Sequence, residues 1–185
     1  MKTITYDWDK TERAVRDIAM GLFKSNWRPN YIIGITRGGL VPAVMLSHMT
    51  GIPMHTLCVQ LGTEDLVENT ESNCWMAEDA FGYVSAENRI NDVVVDTNIR
   101  KNILIVDDIN DTGATFNWIM KDWQAGCLPH NDKWKSVWNN NVRFATLTDN
   151  LASEFTEHCA YTCHEINKAD EDVWLVYPWE NVGMY

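Results

Sequence analysis

Two neighbouring carboxylates, Asp107 and Asp108, follow the apolar run Ile103-Leu104-Ile105-Val106 and precede Ile109-Asn110-Asp111-Thr112-Gly113-Ala114-Thr115. The run reads as a buried strand, and the pattern from Ala114 to Ala125 as a helix stopped by Gly126 and Pro129. A strand, an acidic pair and a small, hydroxyl-rich turn opening a helix make a site for a sugar phosphate. The carboxylates can accept hydrogen bonds from a ribose diol or hold Mg²⁺. The loop amides and the hydroxyls of Thr112 and Thr115 can surround a phosphate at the positive end of the helix. The plainer reading is a core strand followed by an acidic helix cap. It leaves two adjacent carboxylates uncompensated, which is costly unless they are solvated or bound.

A second turn has the same placement. Tyr31 to Ile35 reads as a strand and Leu40 to Met49 as a helix closed by Gly51, with Thr36-Arg37-Gly38-Gly39 between them. Two glycines let consecutive amides point inward, and the guanidinium adds a fixed positive fork suited to an anion.

The elements that must position these turns alternate between periods. A helix capped by Asp9 or Thr11 would present Ala14, Val15, Ile18, Ala19, Leu22 and Phe23 on one face. Further strands are expected at Met54–Val59, Val142–Leu147 and Ala160–Ile166. Strands alternating with helices predict an α/β fold with a mainly parallel central sheet flanked by helices. Ligands bind such sheets beyond the carboxyl ends of the strands, where both turns lie. The stretch 62–99 holds nine acidic residues and one basic residue, Arg89. It reads either as a solvated acidic insertion or as a catalytic lid; Val93-Val94-Val95 suggests a strand, and Trp75, Met76, Phe81 and Tyr83 a packed excursion.

A chain of 185 residues, 45% hydrophobic, fits one domain able to bury its core without disulfides. A net charge of −11 disfavours nucleic acid and anionic membranes as partners. Five scattered cysteines, no apolar run long enough to span a bilayer and no apolar leader at Met1–Asp7 predict a reducing, cytoplasmic location. Cys159-x-x-x-Cys163-His164 lacks a second ligand pair, so Cys159, Tyr161 and Cys163 are expected to alternate on one strand face rather than bind metal.

The Asp107–Thr115 segment resembles the phosphoribosyl pyrophosphate (PRPP) signature of type I phosphoribosyltransferases. Ile33–Ala43 is similar to the pyrophosphate loop of the bacterial xanthine-guanine enzymes, and Asp172-Val173-Trp174-Leu175-Val176-Tyr177-Pro178-Trp179-Glu180 to their purine-binding end. The three segments occur in the family's order. The resemblance implies a single phosphoribosyltransferase domain over 1–185, with a lid at about 62–99 and a base-binding hood at about 150–185. It implies transfer of the 5-phosphoribosyl group from PRPP to xanthine, guanine or hypoxanthine, giving a nucleoside monophosphate and pyrophosphate. The alternatives are another base, or a PRPP-sensing module without turnover.

By the same resemblance, Asp107 and Asp108 bind the ribose diol directly or through Mg²⁺, the expected cofactor. Asp111 is the catalytic base or hydrogen-bonds purine N7, and Asp111, Thr112, Gly113, Ala114 and Thr115 surround the 5′-phosphate. A backbone free of a side chain at Gly113 would let the phosphate approach closely. Thr36, Arg37, Gly38 and Gly39 bind pyrophosphate, with Thr36–Arg37 the candidate for a cis peptide. Trp174 stacks on the base, and backbone groups around Leu175 read its edge. A lysine that in the family meets the purine 6-oxo group falls at Asn150 here, and Val176 stands where relatives carry an acid. Arg89, Arg100 and Lys101 are the basic candidates near the lid. A homo-oligomer, dimer or tetramer, is implied as well.

Overall fold

Strands rich in Ile, Val and Leu on both faces need cover on both faces. The computed structural model describes residues 1–59, 61, 74–83 and 96–180. In it β2 (Tyr31–Thr36), β3 (Met54–Cys58), β4 (Ile103–Asn110), β5 (Val142–Asn150) and β6 (Tyr161–Ile166) form one sheet in the order β3-β2-β4-β5-β6. Every ladder in it is parallel. α1 (Trp8–Lys24) and α2 (Leu40–Thr50) cover one face; α3 (Cys74–Phe81) and α4 (Ala114–Gly126) cover the other. Alternation along the strands feeds the two cores: Ile33, Ile35, Ile105 and Phe144 meet α3 and α4, while Ile32, Leu104, Val106 and Leu147 meet α1 and α2. A separate two-stranded parallel sheet joins β1 (Lys2–Thr5) to β7 (Val173–Val176).

Several details differ from the sequence reading. α1 is capped by Asp7, whose carboxylate accepts from the Lys10 amide at 2.7 Å. Thr11 instead lies buried inside the helix, its hydroxyl donating to the Asp7 carbonyl. Phe23, at the edge of the apolar stripe in the last turn, is 53% exposed and packs under the Arg28 guanidinium. Cys159 precedes β6 and packs against the α3/α4 core, whereas Tyr161 and Cys163 face the α1/α2 core, so the three do not share a face.

Of the acidic stretch, α3 is a packed excursion as expected: Met76 and Phe81 are buried, though Trp75 is exposed. The suggested strand at Val93–Val95, Arg89 and most of the lid reading lie outside the described residues. Arg100 and Lys101 cannot serve a lid. They precede β4 at its amino end, roughly 20 Å along the strand from Asp108. There Arg100 donates to the carbonyls of Phe81, Lys133 and Ser136, and Lys101 pairs with Asp79 at 3.1 Å.

Among the described residues no helix is long and apolar enough to cross a membrane, and no three His, Cys, Asp or Glu side chains gather to hold a metal ion.

Candidate active site

β4 does not stop at Val106. Asp107 and Asp108 lie inside the strand, because β5 also extends and keeps pairing: Asp107 opposite Thr146, Ile109 opposite Thr148, Asn110 opposite Asp149. The acidic pair is therefore held by a ladder rather than by a turn. Its amides bond inward: the Asp108 N–H donates to Asp107 Oδ1 at 3.0 Å, and the Ile109 N–H to Asp108 Oδ1 at 2.8 Å.

The Arg37-Gly38-Gly39 turn leaves the neighbouring strand β2 and rests on this pair. A Cβ on Gly38 would fall on the Asp108 carboxylate, and one on Gly39 would lie 2.5 Å from the Val106 carbonyl and 2.9 Å from Asp107 Cα. At Gly39, where the obstacles are backbone atoms, only a residue without a side chain can pass. The Gly39 amide donates to the Asp107 carboxylate. The peptide joining Thr36 to Arg37 is cis. Arg37 is exposed, its guanidinium without a hydrogen-bond or ion-pair partner among the described residues, and the Thr36 hydroxyl is buried and likewise unpartnered. An unpaired cation and a free hydroxyl thus lie on the turn that packs against the acidic pair.

Burial is the main influence on the acids. It pushes the Asp107 carboxyl well above the usual carboxylate range, reinforced by the charge of Asp108. It pushes Asp108 up to about 6, with the charge of Glu180 adding to the effect. Neither carboxylate has an ion-pair partner among the described residues. A divalent cation, or hydroxyl donors, would relieve that cost. Two carboxylates suit Mg²⁺, which keeps waters and takes further oxygens from a phosphorylated substrate.

Residues Asp107 to Phe116 line a cavity of about 190 Å³ that runs from the acid pair to the start of α4. Thr112, Gly113, Ala114 and Thr115 are thus brought together at a helix amino end, where anions are favoured. Gly113 carries a φ of +84°, and a Cβ there would strike the Phe155 backbone. Its small size therefore serves the packing of the 150–156 loop onto the turn, a requirement that phosphate approach alone did not supply.

Asp111 and Thr112 also line a second cavity, of about 610 Å³, shared with Asn150, Ala152, Glu154, Lys168 and Ala169. Lys168 Nζ lies 2.8 Å from Asp111 Oδ1 and 2.9 Å from Oδ2. The sequence reading missed this lysine, which stands after β6 rather than β5. Asn150, placed at the lysine position by sequence, is 5% exposed and serves as a strut. Its amide donates to the Asp111 carbonyl at 2.8 Å, and its carbonyl accepts from the Lys168 and Ala152 amides. Asn150 thereby fixes both ends of the ion pair.

The end of the chain joins the site through Tyr177, whose hydroxyl donates to the Asp108 carbonyl at 3.0 Å and sits 3.2 Å from Thr148 Oγ1. Trp174, on β7, is 54% exposed and is not among the residues lining either cavity, while the Leu175 side chain is buried in the α1/α2 core. The carbonyls of Asp172 and Val176 accept from the amides of Lys2 and Tyr6, so strand alternation turns the Leu175 amide and carbonyl to the opposite edge of β7.

A parallel sheet with an acidic pair on one central strand, an Arg-Gly-Gly turn on the next and an anion-ready helix start is the architecture of a transferase for phosphorylated sugars. The chain matches the phosphoribosyl transferase domain over residues 3–180 and belongs to that family of enzymes. Among curated proteins it is 25% identical, over 98% of its own length and 86% of the other's, to a xanthine-guanine phosphoribosyltransferase of Gluconobacter oxydans. Its fold is shared with a purine phosphoribosyltransferase from Pyrococcus horikoshii (22% identity, TM-score 0.62, 100% of this chain and 98% of that one). It is shared also with a Helicobacter pylori xanthine-guanine-hypoxanthine phosphoribosyltransferase (13% identity, TM-score 0.60, 97% and 94%).

Proposed function

We propose that the enzyme transfers the 5-phosphoribosyl group of PRPP to a purine, xanthine, guanine or hypoxanthine, with Mg²⁺ at Asp107 and Asp108. The observation that carries this reading is the seating of Gly38 and Gly39 on the acidic pair, next to a cavity that runs from the two carboxylates to the α4 amino end. PRPP has the matching order of groups: a pyrophosphate, a diol and a 5′-phosphate. The likeness to the Gluconobacter xanthine-guanine enzyme supports a purine as the acceptor.

In the reaction the C1–O bond to pyrophosphate breaks with its electron pair on oxygen, and a purine ring nitrogen forms the new bond to C1. Positive charge grows on the ribose ring and negative charge on the departing pyrophosphate. Arg37, with the Gly38 amide and the Thr36 hydroxyl, stabilises the leaving group, while Gly39 keeps the turn seated on Asp107. The carboxylates of Asp107 and Asp108 orient the ribose diol and offset the ring's charge. Asp107 and Asp108 would hold Mg²⁺, which would supply positive charge to offset that of the substrate's phosphates. Thr112, Gly113, Ala114 and Thr115 hold the 5′-phosphate. Asp111 accepts the proton that the purine ring loses. Trp174 and the Leu175 backbone would close over the base from β7. The odd number and scatter of the cysteines support a reducing, cytoplasmic setting, and the exposed Trp8, Phe23 and Trp75 support self-association.

Pyrophosphate release from PRPP with each of the three bases tests the assignment. Arg37→Ala is expected to weaken PRPP binding by about 10-fold or more, since it removes a charge-assisted contact. Asp111→Asn is expected to lower kcat by about 10²-fold with PRPP affinity little changed. Unaltered turnover in Asp111→Asn would remove that residue from the proton-accepting role, and inactivity of the wild type on all three bases would redirect the function to another acceptor.

A further inference from the structure

The five-stranded sheet carries the acidic pair, the β1/β7 pair carries Trp174 and Leu175, and no ladder joins the two sheets. Among the described residues the polar links between them run through three buried hydroxyls. Tyr177, just after β7, donates to the Asp108 carbonyl at 3.0 Å and lies 3.2 Å from Thr148 Oγ1 on β5. Tyr6, just after β1, sits 2.9 Å from the same Thr148 oxygen. Asp108 has no partner residue on either neighbouring strand. β2 pairs with β4 only as far as Val106, and β5 pairs with Asp107 and Ile109 on either side of it. The Tyr177 hydroxyl therefore satisfies a carbonyl that the ladders pass over. The phenol is itself fixed, stacked on Trp179 at 4.9 Å and leaning on Tyr6 at 4.8 Å. Its amide donates to Glu180 Oε2 at 3.1 Å and its carbonyl accepts from the Glu180 N–H, which closes the turn after β7.

We propose that Tyr177 is a positioning residue whose hydroxyl sets the distance between the strand that holds the base and the carboxylates that hold the ribose diol. The inference rests on the phosphoribosyl transfer proposed above, with the base held from β7. Transfer needs a ring nitrogen of the base in line with C1 as pyrophosphate departs on the other side. Base and ribose are held by different sheets, so that alignment depends on the tie between the sheets. A misplacement of about 1 Å costs on the order of 10²-fold in rate. Neither substrate needs Tyr177 in order to bind. Asp108 keeps its place under Gly38 and its bond from the Ile109 amide, and β7 keeps its ladder to β1. Loss of the hydroxyl is therefore felt in the rate of the bound complex and not in the affinities. The Tyr6 hydroxyl reaches β5 and makes no bond to β4, so it does not set this distance.

The test is the rate of a single turnover, with enzyme in excess over PRPP and with Mg²⁺ and the best of xanthine, guanine and hypoxanthine saturating. Wild type, Tyr177→Phe and Tyr6→Phe are compared. With enzyme in excess the rate constant does not depend on the fraction folded, so a purely structural role would leave it unmoved. Tyr177→Phe keeps the ring and its stacking contacts, and thermal melts verify that it folds. It is expected to slow the single turnover by about 10-fold or more, with PRPP affinity by calorimetry and KM for the base within about 2-fold of wild type. Tyr6→Phe is expected to stay within about 2-fold of the wild-type rate. A wild-type rate constant in Tyr177→Phe, an equal loss in Tyr6→Phe, or a loss confined to PRPP affinity overturns the positioning role and leaves the transferase assignment standing. Inactivity of the wild type on all three bases overturns the transferase assignment itself and this inference with it.

Discussion

Asp108→Asn is expected to make the ligand-free protein more stable and to leave it almost inactive. Folding buries the carboxyl and raises its pKa to about 6, above the ordinary value of 3.8. A group with a raised folded pKa favours the fold where it is protonated in that state. Its contribution is present at low pH and is lost as pH rises from about 4 through about 6; above that, both states are ionised and the burial cost is felt in full. Asparagine never ionises, so the cost disappears. The gain at neutral pH should be on the order of 2 kcal/mol, a rise of a few degrees in Tm. The pH dependence of Tm between about 4 and 7 should flatten in parallel. Turnover should fall by about 10²-fold or more, because the amide carries no negative charge and so weakens the hold proposed for this residue on the ribose diol and Mg²⁺. Thermal melts across pH together with a pyrophosphate-release assay check both halves. A variant that is less stable than wild type at pH 8, or equally active, contradicts the account of a carboxylate kept at a cost for function.

Gly39→Ala is expected to be the most damaging single methyl addition at the site. The new Cβ would meet backbone on two sides, 2.5 Å from the Val106 carbonyl and 2.9 Å from Asp107 Cα, and no rotamer change can move either. The turn must lift off β4, at a cost of about 1–3 kcal/mol typical of overpacking. Gly38→Ala meets only the tip of the Asp108 side chain, which can rotate away. It should therefore cost less stability while still displacing a carboxylate from the crevice. Both should lose PRPP affinity, by about 10-fold or more, since the amides of this turn no longer converge with the acidic pair. Calorimetry with PRPP, alongside melting curves, separates the two effects. Equal stability of Gly39→Ala and wild type would show that the two turns are not packed as described.

How much of this was readable from the chain depended on how local the signal was. Ile103–Asp108 and Tyr31–Thr36 declare buried parallel strands through β-branched residues, and Gly113 and the Gly38-Gly39 pair mark where backbone must bend or approach. Both turns, their order and the doubly covered sheet follow from those residues. The features that escaped are set by partners distant in sequence. The strand β4 runs on through Asp107 because β5, some 39 residues later, extends to pair with it. β1 was invisible because Lys2–Thr5 buries only Ile4 in part and exists by virtue of pairing with β7. Lys168 escaped for the same reason. It is 57 residues from Asp111, on a turn whose length says nothing about where its ammonium points. Asn150 sits at the alignment position of the missing lysine, and its polar side chain suggested a base contact; the fold uses it to brace Lys168 and Asp111 instead.

The central claim is that the turns leaving β2 and β4 together hold one activated pentose phosphate. The most direct measurement is calorimetric titration of PRPP, with Mg²⁺ present, into the wild type, Arg37→Ala and Asp108→Asn. The account predicts saturable binding at one site per chain in the wild type and at least about 10-fold weaker binding in each variant, although the two changed residues lie on different strands. No binding to the wild type, or binding that both variants keep intact, would contradict it.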